Sequence, residues 1–100
     1  MKKEDIIRIL KDNKEEIRKF NVKSLSLVGS FADETSNFQS DVDIIVEFVN
    51  NDSSQLLKLG VFLEQLLDRE VDLAEKSSIK TNYLDEIMKY TNTPIDIMRQ

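Results

Sequence analysis

Asp41 and Asp43 stand one residue apart in "DVDIIVEF", residues 41 to 48, and a third carboxylate, Asp72, stands in "REVDLAE", residues 69 to 75. Strand alternation puts Asp41, Asp43, Ile45 and Glu47 on one face and Val42, Ile44, Val46 and Phe48 on the other, which is the core face. Two ionised carboxylates so close on one face repel each other unless a cation lies between them. Asp72 alternates against Val71 and Leu73, and it adds a third carboxylate if its strand neighbours that of the pair. Three carboxylates at one edge of a small sheet suit one or two hard cations, magnesium or manganese, which keep waters and take phosphate oxygens as remaining ligands.

Upstream, "LSLVGSFADETSNFQS" runs from an apolar strand into Gly29-Ser30 and then ten mostly polar residues before Asp41. Gly29 permits a sharp turn and a close approach of backbone to ligand. Ser30 follows with a hydroxyl and backbone N–H groups suited to a phosphate. A phosphate holder and a metal holder thus sit at the two ends of one loop.

Composition narrows the chemistry further. The chain has neither Cys nor His, which removes thiol nucleophiles, Ser-His triads, imidazole acid–base catalysis and the usual zinc sites. A net charge of −5 argues against a broad nucleic-acid surface, since such binding draws on clustered Lys and Arg, and no direct nucleic-acid binding is expected. One hundred residues with 40% hydrophobic and 33% charged content suit one globular domain spanning 1–100. No apolar run approaches the roughly 20 residues of a membrane span, and the charged N-terminus lacks a signal-peptide core, so a cytoplasmic protein is expected.

The elements that must position these residues follow from periodicity. Residues 3 to about 19 read as one helix with Ile6, Leu10 and Ile17 on its apolar stripe, and Ser24 to Val28 as a strand. This strand and 41 to 48 are expected to be antiparallel neighbours. Ser53 or Asp52 reads as the N-cap of a helix from Gln55 to about Asp68, with Leu56, Leu59, Leu63 and Leu66 inward. Leu57, Phe62 and Leu67 widen that stripe and offer a patch for a partner helix. "REVDLAE" is the third strand, 79 to 91 a last amphipathic helix with Leu84, Ile87 and Met88 inward, and Ile95 and Ile97 beyond Pro94 offer an edge strand. The expected fold is α/β (α+β), a small mixed sheet with helices packed on one side. Glu47 reads as rim, and Tyr83 and Tyr90 as flanks of the core.

Gly29-Ser30, ten residues, Asp41-x-Asp43 at a strand start and Asp72 in a later strand together resemble the DNA polymerase β-like nucleotidyltransferase superfamily. From about residue 5 to 97 the chain is similar to its minimal nucleotidyltransferase (MNT or MntA) family. The resemblance implies transfer of a nucleoside monophosphate from a nucleoside triphosphate, with ATP the expected donor. Gly29 and Ser30 would contact the triphosphate, Asp41 and Asp43 would ligate magnesium, and Asp72 would be the third metal carboxylate and would activate the acceptor hydroxyl. It further implies an antitoxin beside a HEPN-domain ribonuclease toxin, silenced by AMP added to a toxin tyrosine, within a homo- or hetero-oligomer. Asp33 and Glu34 depart from the family pattern, standing where Arg and Gly are usual. Their charge disfavours triphosphate binding and supports a rival expectation, an antitoxin that neutralises its toxin by binding alone.

Overall fold

The computed structural model describes residues 2–29, 42–83, 85 and 93–97. Ser30, Asp41, Asp33, Glu34 and Tyr90 lie outside the described residues, as does most of the expected last helix, of which 81 to 83 and 85 are helical. The N-terminal helical region is α1 (Lys3–Asp12) and α2 (Lys14–Arg18) rather than one helix. Asn13 divides them: its backbone leaves helical geometry at φ −111° and ψ 18°, and its side-chain amide donates to the Ile9 carbonyl at 2.8 Å. The Asn13 N–H donates to the same carbonyl at 3.2 Å, so the side chain shares that acceptor with the backbone bond.

Four strands follow: β1 (Val22–Val28), β2 (Val42–Phe48), β3 (Val71–Glu75) and β4 (Thr93–Asp96), in the order β3-β2-β1-β4. β1 pairs antiparallel with both β2 and β4, and β2 pairs parallel with β3, so the sheet is mixed. α3 (Leu56–Leu67) makes the crossover that a parallel pair requires. It starts without the expected Ser53 or Asp52 side-chain cap at its N-cap, which is Gln55. Asp52 instead closes the preceding turn, accepting from Ser54 N–H at 3.1 Å and from Asn21 Nδ2 at 2.9 Å. Asp68, left-handed at φ 53°, stops α3.

β1 begins two residues before the strand expected from alternation, because its register to β2 shifts between Val22 and Ser24. The bulge at Lys23 returns both Val22 and Leu25 to the core face although they are three residues apart. On that face Leu25, Leu27, Val42, Ile44, Val46, Phe48 and Ile95 meet Ile6, Leu10 and Ile17 of α1 and α2 and Leu59, Leu63 and Leu67 of α3. Phe20 and Phe62 add an aromatic contact at 5.2 Å between ring centroids. Phe62 and Leu67 of the expected patch thus serve the core, whereas Leu57 is 82% exposed. The expected edge strand at Ile95 is β4, and Arg18 anchors its end by donating Nε and Nη2 to the Ile97 carbonyl at 3.2 and 3.0 Å.

Candidate active site

β1 ends at Val28, opposite Asp43 in the antiparallel register. Gly29 comes next with φ +74°, a left-handed conformation that a side chain disfavours. A Cβ built on Gly29 would overlap Oδ2 of Asp43 and lie 3.2 Å from its Cγ and 3.4 Å from its Cβ. Glycine therefore serves here twice, turning the chain out of the sheet and letting the main chain pass directly against the Asp43 carboxylate.

Asp72 is the register partner of Asp43 in the parallel β2–β3 pair. Partners in a parallel ladder share a face, on strands about 4.8 Å apart, so the two carboxylates project side by side. The register is pinned locally: Val42 N–H donates to the Glu70 carbonyl at 3.0 Å, and Val71 N–H donates to Oε2 of Glu64 at 3.1 Å. A slip of one residue would turn Asp72 into the core.

The face these groups share grades from buried to exposed across the sheet. Val28 and Ile45, beside Asp43, are 7% and 4% exposed; Asp43 is half-buried and Asp72 exposed. Asp43 therefore does not stand on an open, solvated strand face. Glu47 shares the face but belongs to a separate ion cluster, with Lys23 Nζ at 3.7 Å, Lys76 Nζ at 3.6 Å and the Ser24 hydroxyl donating at 3.3 Å.

Two carboxylates on one face of adjacent strands, one of them exposed, fit a hard divalent cation by donor type. Among the described residues no group of three His, Cys, Asp or Glu side chains gathers for a metal, and of the three carboxylates expected to hold one only Asp43 and Asp72 are described. Sequence reasoning missed Glu64, whose bond to the start of β3 spans seven residues, and Val61, which lies exposed with the patch residue Leu57 beside Asp72. Neither carries a sequence signal, because both depend on how α3 lies along β3.

The sequence profile of the nucleotidyltransferase domain matches residues 6–93. Protein adenylyltransferase MntA of Thermococcus cleftensis is 35% identical over 88 residues, which cover 86% of this chain and 89% of that protein. A solved structure of a candidate minimal nucleotidyltransferase matches with a TM-score of 0.73 and 20% identity, over 95% of this chain and 97% of that one. A chain in the crystal structure of the toxin-antitoxin MntA-HepT matches with a TM-score of 0.55 and 25% identity, over 92% of this chain and 67% of its own length. The chain belongs to the nucleotidyltransferase domain family, among its minimal protein adenylyltransferases. It is an enzyme of nucleotidyl transfer on a mixed α/β sheet. No described helix is long and apolar enough to cross a membrane.

Proposed function

We propose that this chain, acting as a single domain, transfers AMP from ATP to a hydroxyl of a partner protein, and that the partner is the HEPN toxin of a toxin-antitoxin pair. The observation that carries the reading is the side-by-side register of Asp43 and Asp72, with Gly29 packed against the first of them. Its likeness to MntA and to a chain of the MntA-HepT complex supports the partner.

Asp41, Asp43 and Asp72 hold magnesium, for which manganese can substitute, and Gly29 and Ser30 hold the triphosphate. The bound cation neutralises phosphate charge, which is the main demand of phosphoryl transfer in a site without His or Cys. The acceptor oxygen bonds to the α-phosphorus as the bond from that phosphorus to the bridging oxygen of pyrophosphate breaks. Pyrophosphate leaves with the electron pair, and the hydroxyl proton passes to a carboxylate oxygen of Asp72 and on to solvent.

The test is the intact mass of the partner after incubation with the protein, magnesium and ATP. A gain in whole AMP units that vanishes with Asp43→Asn and with Asp72→Asn is expected. A stable complex with no gain at all would overturn the transferase reading in favour of neutralisation by binding.

A further inference from the structure

β3 is the outer strand of the sheet, and among the described residues no strand lies beyond it. The bond from Val42 N–H to the Glu70 carbonyl sets the ladder phase: Glu70, Asp72 and Ala74 turn their backbone groups toward β2, and Val71 and Leu73 turn theirs outward. Glu64 already takes the Val71 N–H. The Val71 carbonyl and both backbone groups of Leu73 are left facing out, a template for one more strand.

A groove of about 400 Å³ runs beside this edge, lined by Leu56, Leu57, Gly60, Val61, Glu64, Val71, Asp72 and Leu73. Val71 and Leu73 belong to one face of β3 and Asp72 to the other, so a groove touching all three lies at the strand's edge. Its helical wall carries Leu57 and Val61, 82% and 50% exposed. Its two charged lining residues, Glu64 and Asp72, are both acidic.

We infer that the acceptor enters as an extended segment of the partner protein that adds to the β3 edge. This inference rests on the transferase reading and names how its acceptor is recognised. Alternation then dictates the segment's pattern. The residue opposite Asp72 turns its side chain to the carboxylate face and carries the accepting hydroxyl. The residues before and after it, opposite Val71 and Leu73, turn to the α3 side and are apolar, to cover Leu57 and Val61. Basic residues flank them, matching Glu64, Asp72 and the chain's net charge of −5. The order across the sheet becomes Gly29, Asp43, Asp72 and acceptor, which suits displacement in line between the triphosphate and the incoming oxygen.

The probe is a fluorescent nonapeptide with a central Tyr between Val and Ile and with Lys toward its ends. The control moves the two apolar residues one position outward, onto the Tyr face. Polarisation with the full chain should show the patterned peptide binding about tenfold or more tighter than the control, and Leu57→Asp or Val61→Asp should remove that preference. N-methylation of the peptide amide that meets the Leu73 carbonyl should weaken binding to a similar degree while leaving every side chain in place. Both substituted positions are exposed, so the variants keep the fold, as circular dichroism would verify. Equal binding of the two peptides, binding indifferent to Leu57 and Val61, or no binding would overturn the docking inference. So would a dimer of the chain that either variant breaks, which would make a second copy the occupant. Patterned binding without AMP transfer in magnesium and ATP would overturn the transferase reading instead, and leave the docking intact.

Discussion

Replacing Gly29 by Ala separates two costs that one residue carries. The backbone cost comes from φ +74°: an Ala held in the left-handed region loses roughly 1–2 kcal/mol. The contact cost comes from the new Cβ, which overlaps Oδ2 of Asp43. That oxygen is the far end of a short side chain and can swing aside, so its effect on stability is small. Its effect on chemistry is not, since displacing a reacting constellation by about 1 Å costs on the order of a hundredfold in rate. Gly29→Ala should therefore lower the urea midpoint by about 1 M and reduce AMP transfer by about a hundredfold under conditions where the variant remains folded. An Asp43→Ala background isolates the contact: there the stability loss on adding Gly29→Ala should shrink to the backbone part alone. A Gly29→Ala protein as stable as the parent would refute the conformational argument. Unchanged transfer would refute the claim that Gly29 seats the Asp43 carboxylate.

Gly60 should respond oppositely: it lies inside α3, and a Cβ there meets only Leu73 Cδ2 at 3.9 Å, so Gly60→Ala should raise stability by about 0.5–1 kcal/mol in urea titration. Arg18→Ala removes the forked donation to the Ile97 carbonyl and should cost about 1–2 kcal/mol, with faster amide exchange at Ile97, whose N–H donates to the Lys23 carbonyl at 3.3 Å. The Ser54 backbone N–H, the Ser54 side chain and the Asn21 amide hold the Asp52 carboxyl below its ordinary value. A depressed folded value means that its stabilisation is present above the unfolded value of about 3.9 and is lost as pH falls through the folded one. Carbon NMR titration should place the Asp52 midpoint below 3.9, and Asp52→Asn should flatten the loss of stability in that acid window.

What the sequence disclosed and what it hid divide by the range of the interactions. Asp43 and Asp72 were legible because alternation is a local property, and Val42, Ile44, Val46, Phe48, Val71 and Leu73 keep it without interruption. The antiparallel partnership of β1 and β2 followed from loop length, and the edge strand from two apolar residues beyond Pro94. The start of β1 was hidden by the bulge at Lys23, since Val22 and Leu25 fall out of period until an extra residue is inserted. The break at Asn13 was hidden because no Gly or Pro marks it; its backbone leaves helical geometry while its N–H and its side-chain amide both donate to the Ile9 carbonyl. In the sequence Leu57 groups with Phe62 and Leu67 as a patch beyond the core stripe, and of the three it alone is exposed. Its exposure depends on how α3 lies along β3, and no local pattern encodes that.

Topology explains why so short a chain can assemble this site. Asp43 and Asp72 each occupy the second position of a strand, and the strands are parallel, so both carboxylates stand at strand beginnings. Open parallel sheets ordinarily present ligands at strand ends, where the following loops supply the donors. Here β1 is antiparallel to β2, so the end of β1 coincides with the beginnings of β2 and β3. One edge of the sheet thereby receives a turn from β1, with Gly29 free to adopt positive φ, together with two carboxylates held by strand pairing. Strand pairing sets the face from which each carboxylate projects. The bonds from Val71 N–H to Glu64 and from Val42 N–H to the Glu70 carbonyl fix the phase that brings Asp72 beside Asp43, and α3 needs no more length than the crossover demands. The same economy leaves β3 at the outer edge, with its carboxylate exposed and an apolar helix face beside it. An enzyme built this way sets Asp43 and Asp72 side by side, and among the described residues what lies beyond Asp72 is the outer strand edge and its groove, where we infer that a segment of the partner protein adds.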